Sequence, residues 1–337
     1  MPISSDAWSS IAIDPAGIPE VAWASYGIGV YHERRGDTGW TRTKLAPAGW
    51  YPLIAIDDTG TSQVLYTAQV IVNTNIRYDL VYVQEAGGGF SPETATTIAQ
   101  GLAGANNLGP LAYALALDAS GAPHVAYWDG TEGMLRHGVR NSGGTWSLED
   151  VGSSSGSAIG LAVDGAGRVH VAYRDDAAKS LVYTVKESGT WSAPETVDLA
   201  GGVGAYGDIE DSVSLAVDAN GRPRIAYVAP YPQLGSLVYI AQRTSTSWTY
   251  SPANGGSVDM DEKISIAVDS QGRAHLAFES SGDIEYLAPN GPYWDVSVAS
   301  AGINGAGHVG FALDAQDRPH LAWSQYRTTK QTIWYAR

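Results

Sequence analysis

The 337-residue chain has no cysteine, which excludes disulfides and thiolate metal sites. Basic residues are scarce: 20 Lys plus Arg stand against 35 Asp plus Glu, a formal charge of −15. That balance repels nucleic acid and anionic membranes, so neither is expected as a partner. No apolar run approaches the roughly 18 residues of a spanning helix. The opening MPISSDAWSS lacks the basic and apolar regions of a signal peptide, which fits a cytoplasmic chain or one whose signal has been removed. The expectation adopted is a secreted or cell-surface bacterial protein. What the chain does have is 40 Gly, 11 Trp and 19 Tyr, a mixture suited to an all-β protein with many tight turns.

One block repeats seven times. An apolar-Ala-apolar-Asp tetrad ends at Asp14, Asp57, Asp118, Asp164, Asp218, Asp269 and Asp314. Three residues later comes Gly, except for Asp317 in the last copy. Nine residues after each Asp stands an aromatic: Trp23, Tyr66, Tyr127, Tyr173, Tyr227, Phe278 and Trp323. Alternation on both sides of D-x-x-G reads as a β-hairpin. A third strand is centred on triplets ending at Tyr31, Tyr82, His137, Tyr183, Tyr239, Tyr286 and Tyr335. A fourth starts near Trp40, Phe90, Trp146, Trp191, Trp248 and Trp294. Four antiparallel strands recurring every 43 to 61 residues predict one all-β domain over 1–337, a seven-bladed β-propeller. The Ala two places before each Asp is expected to fill the narrow wedge where neighbouring blades converge. Blade seven has no fourth-strand Trp, because the chain ends two residues past Tyr335. The N-terminus is expected to complete that blade, or the blade to have three strands.

Connection lengths point to a working face. The Asp-to-aromatic interval is always nine residues and the third-to-fourth-strand interval eight or nine. The second-to-third interval varies from 8 to 16, and the run from the fourth strand to the next Asp from 17 to 28. All the variation therefore falls on the face carrying the 2–3 and 4–1 loops, where ligand sites usually sit.

With the repeat in view, the chain resembles the broad sialidase-like and BNR-like β-propellers, through its D-x-x-G-x-P-H-V-A-Y block and over its whole length. Sialidase Asp-boxes are absent, and no arginine triad can be matched. Blade seven, GHVGFALDAQDRPHLAWSQYRTTKQTIWY, is similar to the His-led blade of propeller polysaccharide lyases.

His124, His170, His275 and His320 share one repeat position, six residues after the Asp, and read as framework. The position six residues before the Asp varies in chemistry: Trp8, Tyr51, Ala112, Ala158, Ser212, Lys263 and His308. Trp8, Tyr51, Lys263 and His308 are candidates to line the mouth of a central channel. Trp128, Asp129, Arg174 and Asp175, just after second-strand aromatics, open onto the same face, and mixed charge with aromatics suits a sugar. The leading expectation is a binder of carbohydrate or a similar small polar ligand. An enzyme is the alternative: a polysaccharide lyase or hydrolase with His308 as acid/base, Tyr326 as its partner and Arg327 or Lys263 on a substrate carboxylate. A protein-interaction scaffold is the third reading. No cofactor is required, although the acidic loops at 207–211 and 259–263 carry carboxylates that suit Ca2+.

Overall fold

The computed structural model describes the chain except residues 1–6, 26, 74, 91–94, 102–111, 153–157, 176, 199–211, 232–234, 245–246, 254–262, 292, 302–308 and 328–329. The side chains of 7, 75, 231, 235, 325–327 and 330–332 also lie outside the description. The strands form seven antiparallel sheets, the blades of a seven-bladed β-propeller. Blade one runs through Ala7–Ile13, Pro19–Ser25, Gly29–Gly36 and Gly39–Ala46, each strand paired with the next. Blade four splits its last strand into Thr190–Trp191 and Glu195–Asp198, both on the outer edge of Ser180–Glu187. Blade seven consists of Gly310–Leu313, Pro319–Arg327 and Lys330–Ala336, so among the described residues it has three strands. The chain divides into two compact units, one holding blades seven, one and two, the other blades three to six.

The repeated Asp builds the first turn of every blade. Its Oδ1 accepts from the backbone N–H groups two and four residues on, at 2.8 to 3.0 Å. The residue at the Gly position takes positive φ and donates its N–H to the Asp carbonyl. Asp317 adopts φ +59 in the last copy, a left-handed conformation that Asp tolerates better than most side chains.

Blades meet along their innermost strands two residues earlier than the sequence suggests. All seven alanines of the tetrad are partly exposed, not wedged between sheets. Close approach occurs on the same side of the strand, four residues before the Asp. A Cβ on Gly160 would stand 2.8 Å from the Leu215 Cβ of blade five. One on Gly310 would stand 2.9 Å from Ile11 N of blade one. At Ser10 and Ser214, which hold this position in blades one and five, the hydroxyl reaches the next blade instead: Ile54 N–H donates to Ser10 Oγ and Ile266 N–H to Ser214 Oγ, each at 3.3 Å. The core lies between the sheets, where side chains such as Tyr127, Tyr183, Tyr227 and Phe278 are fully buried.

Candidate functional site

The loop-face candidates divide into packed and turn-forming residues. His308 lies outside the described residues, as do the acidic loops at 207–211 and 259–262. Tyr326 and Arg327 sit in the second strand of blade seven, opposite Gln331 and Lys330, but their side chains are outside the description. Trp8 is only 8% exposed and packs in the core against Tyr51, ring centroids 4.4 Å apart. Tyr51 occupies a bulge with φ +51. Trp128 is half-buried against the core between blades three and four. Asp129 Oδ1 accepts from Thr131 N and Glu132 N, and Asp175 Oδ1 from Ala177 N and Ala178 N, so both carboxylates stabilise their own turns. Arg174 and Lys263 are half-buried. The structure thus brings Trp8 and Tyr51 together. Among the described residues, no cluster of His, Asp and Glu is arranged to hold a metal ion.

The framework histidines do carry structural bonds. In blade four His170 Nε2 lies 3.2 Å from Asp164 Oδ2, and its Nδ1 lies 2.6 Å from the Tyr183 hydroxyl. Blades six and seven repeat the arrangement with Asp269, His275 and Tyr286 and with Asp314, His320 and Tyr335. Each set ties the first turn to the third strand. Burial pushes Asp269 up, but hydrogen bonds from Arg273 and His275 outweigh it and bring the carboxyl down to about 2. In blade three a chain runs from His124 to His137 at 2.9 Å, to Glu149 at 2.8 Å and on to Lys186 at 2.6 Å. Burial lowers His137 to about 4. Blade one differs from the sequence reading, because His32 and not Tyr31 takes the third-strand position. His32 faces Ala22 across the strands and bonds the fully buried Glu20 at 2.6 Å. Tyr31 points the other way and stacks on Trp23.

Sequence reasoning missed the seams between blades at the end bearing the short 1–2 and 3–4 turns. The fourth-strand aromatic of one blade covers the third-strand ring of the blade before it: Trp40 on Tyr335, Phe90 on His32, Trp191 on His137, Trp248 on Tyr183. Two of these seams add a stacked arginine, Arg35 over Tyr335 at 5.1 Å and Arg243 over Tyr183 at 5.7 Å. The available signal is a basic residue five places before the Trp, as in Arg35–Trp40, Lys186–Trp191 and Arg243–Trp248.

Among the described residues, three seams hold cavities. That between blades one and two, about 400 Å³, has Arg34 already shared by Asp14 at 2.8 Å and Glu20 at 3.3 Å. That between blades four and five, about 650 Å³, is lined by Arg168, Arg222, Arg224 and Arg243. That between blades seven and one, about 420 Å³, is walled by the aromatics Trp40, Trp334 and Tyr335. Trp40 is 37% and Trp334 39% exposed there, beside Arg35, Asp37 and Glu33. The Glu33 Oε1 is held by Trp23 Nε1 at 3.0 Å and Arg42 Nε at 2.6 Å.

No protein-family model and no curated protein matches the chain. Solved structures do. A variant of Aleuria aurantia lectin in complex with Fucα1-6GlcNAc superposes with a TM-score of 0.56 at 16% identity, over 90% of this chain and 98% of the lectin. AofleA from Arthrobotrys oligospora gives 0.54 at 12%, over 88% and 87%. A catalytically inactive variant of virginiamycin B lyase from Staphylococcus aureus, with quinupristin, gives 0.58 at 12%, over 96% and 93%. At these identities the likeness shows the fold alone, a β-propeller shared with the Aleuria lectin, AofleA and the lyase.

Proposed function

We propose that this protein binds carbohydrate in the groove between blades seven and one. The observation that carries the reading is the pair of part-exposed indoles, Trp40 and Trp334, flanking Arg35 and Asp37. Indole faces stack on the C–H faces of a pyranose, while the guanidinium donates to hydroxyls and the carboxylate accepts from them. Arg35 is held against Tyr335 by the cation–π contact, which limits the rotamer entropy lost on binding. The fucoside complex of the Aleuria lectin supports the ligand class. This location differs from the loop face, whose described carboxylates, Asp129 and Asp175, are occupied in turns. A groove of this kind suits a secreted or cell-surface protein, the location included in the proposal. The lyase or hydrolase alternative rests on His308, Tyr326 and Arg327, whose side chains lie outside the description.

A glycan array followed by calorimetry tests the reading. Trp40→Ala and Trp334→Ala should each weaken the best glycan by about tenfold, and Trp40→Phe by less. An array without binding, or full affinity in both Ala variants, overturns it.

A further inference from the structure

The seam between blades four and five has a different chemistry. Blades four, six and seven each place an arginine four residues after the repeat Asp, and its Nε bonds that Asp: Arg168 to Asp164 at 2.6 Å, Arg273 to Asp269 at 2.7 Å, Arg318 to Asp314 at 2.6 Å. Blade five carries Arg222 at this position, but the pattern breaks. The usual histidine is replaced by Arg224, which is largely buried and lies 3.6 Å from Asp218 Oδ2 while donating to Gly272 O at 3.2 Å. Arg222 is thereby displaced from its own Asp. Its exposed side chain makes no hydrogen bond or ion pair among the described residues.

The other guanidiniums at this seam have donors to spare. Each has five N–H groups. Arg168 places its Nε on Asp164, with its Nη1 3.9 Å from Glu187, and Arg243 places one Nη2 on Glu195 at 2.6 Å. The acceptors behind them are largely spent. Asp164 takes two backbone N–H groups, the Arg168 Nε and His170, with a side chain only 2% exposed. Burial holds His170 neutral, so it does not change the count. Of the charged groups lining the cavity, four are arginines and only Glu187, at 67% exposure, is acidic. Behind the wall Asp164, Asp218 and Glu195 offset Arg168, Arg224 and Arg243, so the charge left to the cavity is that of Arg222, while charges beyond about 10 Å are screened at physiological salt.

The geometry points to a second binding site, at the seam of blades four and five, that takes the carboxylate or sulfate group of an acidic saccharide. Arg222 grips the oxyanion with its uncommitted guanidinium, and Arg168 and Arg243 stand beside it in the cavity wall, the bidentate recognition to which guanidinium is suited. The proposal rests on the carbohydrate reading for its saccharide and on the arginines for its anion. It is tested by calorimetry on the full chain with an oligoglucuronate, a sulfated oligosaccharide, their uncharged counterpart and inorganic sulfate. Expected are binding of an acidic saccharide that weakens as salt rises, and a loss of about tenfold or more in Arg222→Ala. Acidic saccharides that bind no better than the neutral one, or equally well to Arg222→Ala, overturn the proposal while leaving the carbohydrate reading in place. Sulfate binding without any saccharide binding overturns both.

Discussion

Gly221 shows how much a single position can constrain a seam. It takes φ +70 in the first turn of blade five, and the Arg168 guanidinium of blade four lies against it where a Cβ would sit. Gly221→Ala combines left-handed strain with that collision and should cost about 1–3 kcal/mol, read as a lower denaturant midpoint. His137 makes a pH prediction. Burial lowers it to about 4 from 6.5, with His124, Glu149 and Lys186 around it. The unfolded chain therefore binds the proton first as pH falls. Stability from the neutral ring is complete above pH 6.5 and is lost on the way down to about 4. Thermal unfolding between pH 7.5 and 4.5 should show that decline, and His137→Tyr, the residue of blades four, six and seven, should flatten it. Asp269 gives a separate, lower window, from its unfolded value of about 3.9 down to about 2. The turn aspartates and the four framework histidines were legible in the sequence, because repetition marks structure. The partner of Glu20 was not, since Tyr31 and His32 are neighbours and the choice between them depends on strand register.

At the level of strands, the inner edge of each blade is where the sequence was misleading. Seven alanines looked like the tight position, yet they are partly exposed, and the close approach belongs to Gly160, Gly310 and the serines two residues earlier. Invariance told which residues are small but not which of two same-side positions faces the next blade. Gly160→Ala should destabilise by about 1–3 kcal/mol through overpacking against Leu215. Ala162→Val should cost clearly less, and equal losses in chemical denaturation would contradict this assignment. The aromatics marked the third and fourth strands, although His32 replaces Tyr31 in blade one and the fourth strand of blade two begins at Thr96, beyond Phe90. Their role in covering the preceding blade could not be read. That contact joins residues more than 50 positions apart, such as His137 and Trp191.

Across the whole molecule, the count of seven blades follows from the seven copies of the repeat. The candidate groove did not follow. It pairs Trp40 with Trp334, residues from opposite ends of the sequence. Loop length drew attention to one end of the blades, while the three cavities lie at the other, among turns of nearly constant length. Constant length preserved the repeat, and the chemistry changed within it through single replacements such as Arg224 for histidine.

The two groove indoles also give the protein its own optical probe. Trp8, Trp23 and Trp323 are at most 8% exposed and sit beyond the reach of an aqueous quencher, whereas Trp40 and Trp334 meet solvent. Iodide should therefore quench a distinct, red-shifted part of the tryptophan emission. Trp40→Phe and Trp334→Phe should each remove a share of that part, and a saccharide seated in the groove should protect it. Occupancy could then be followed without a label, through the part of the quenching that the two Phe variants remove.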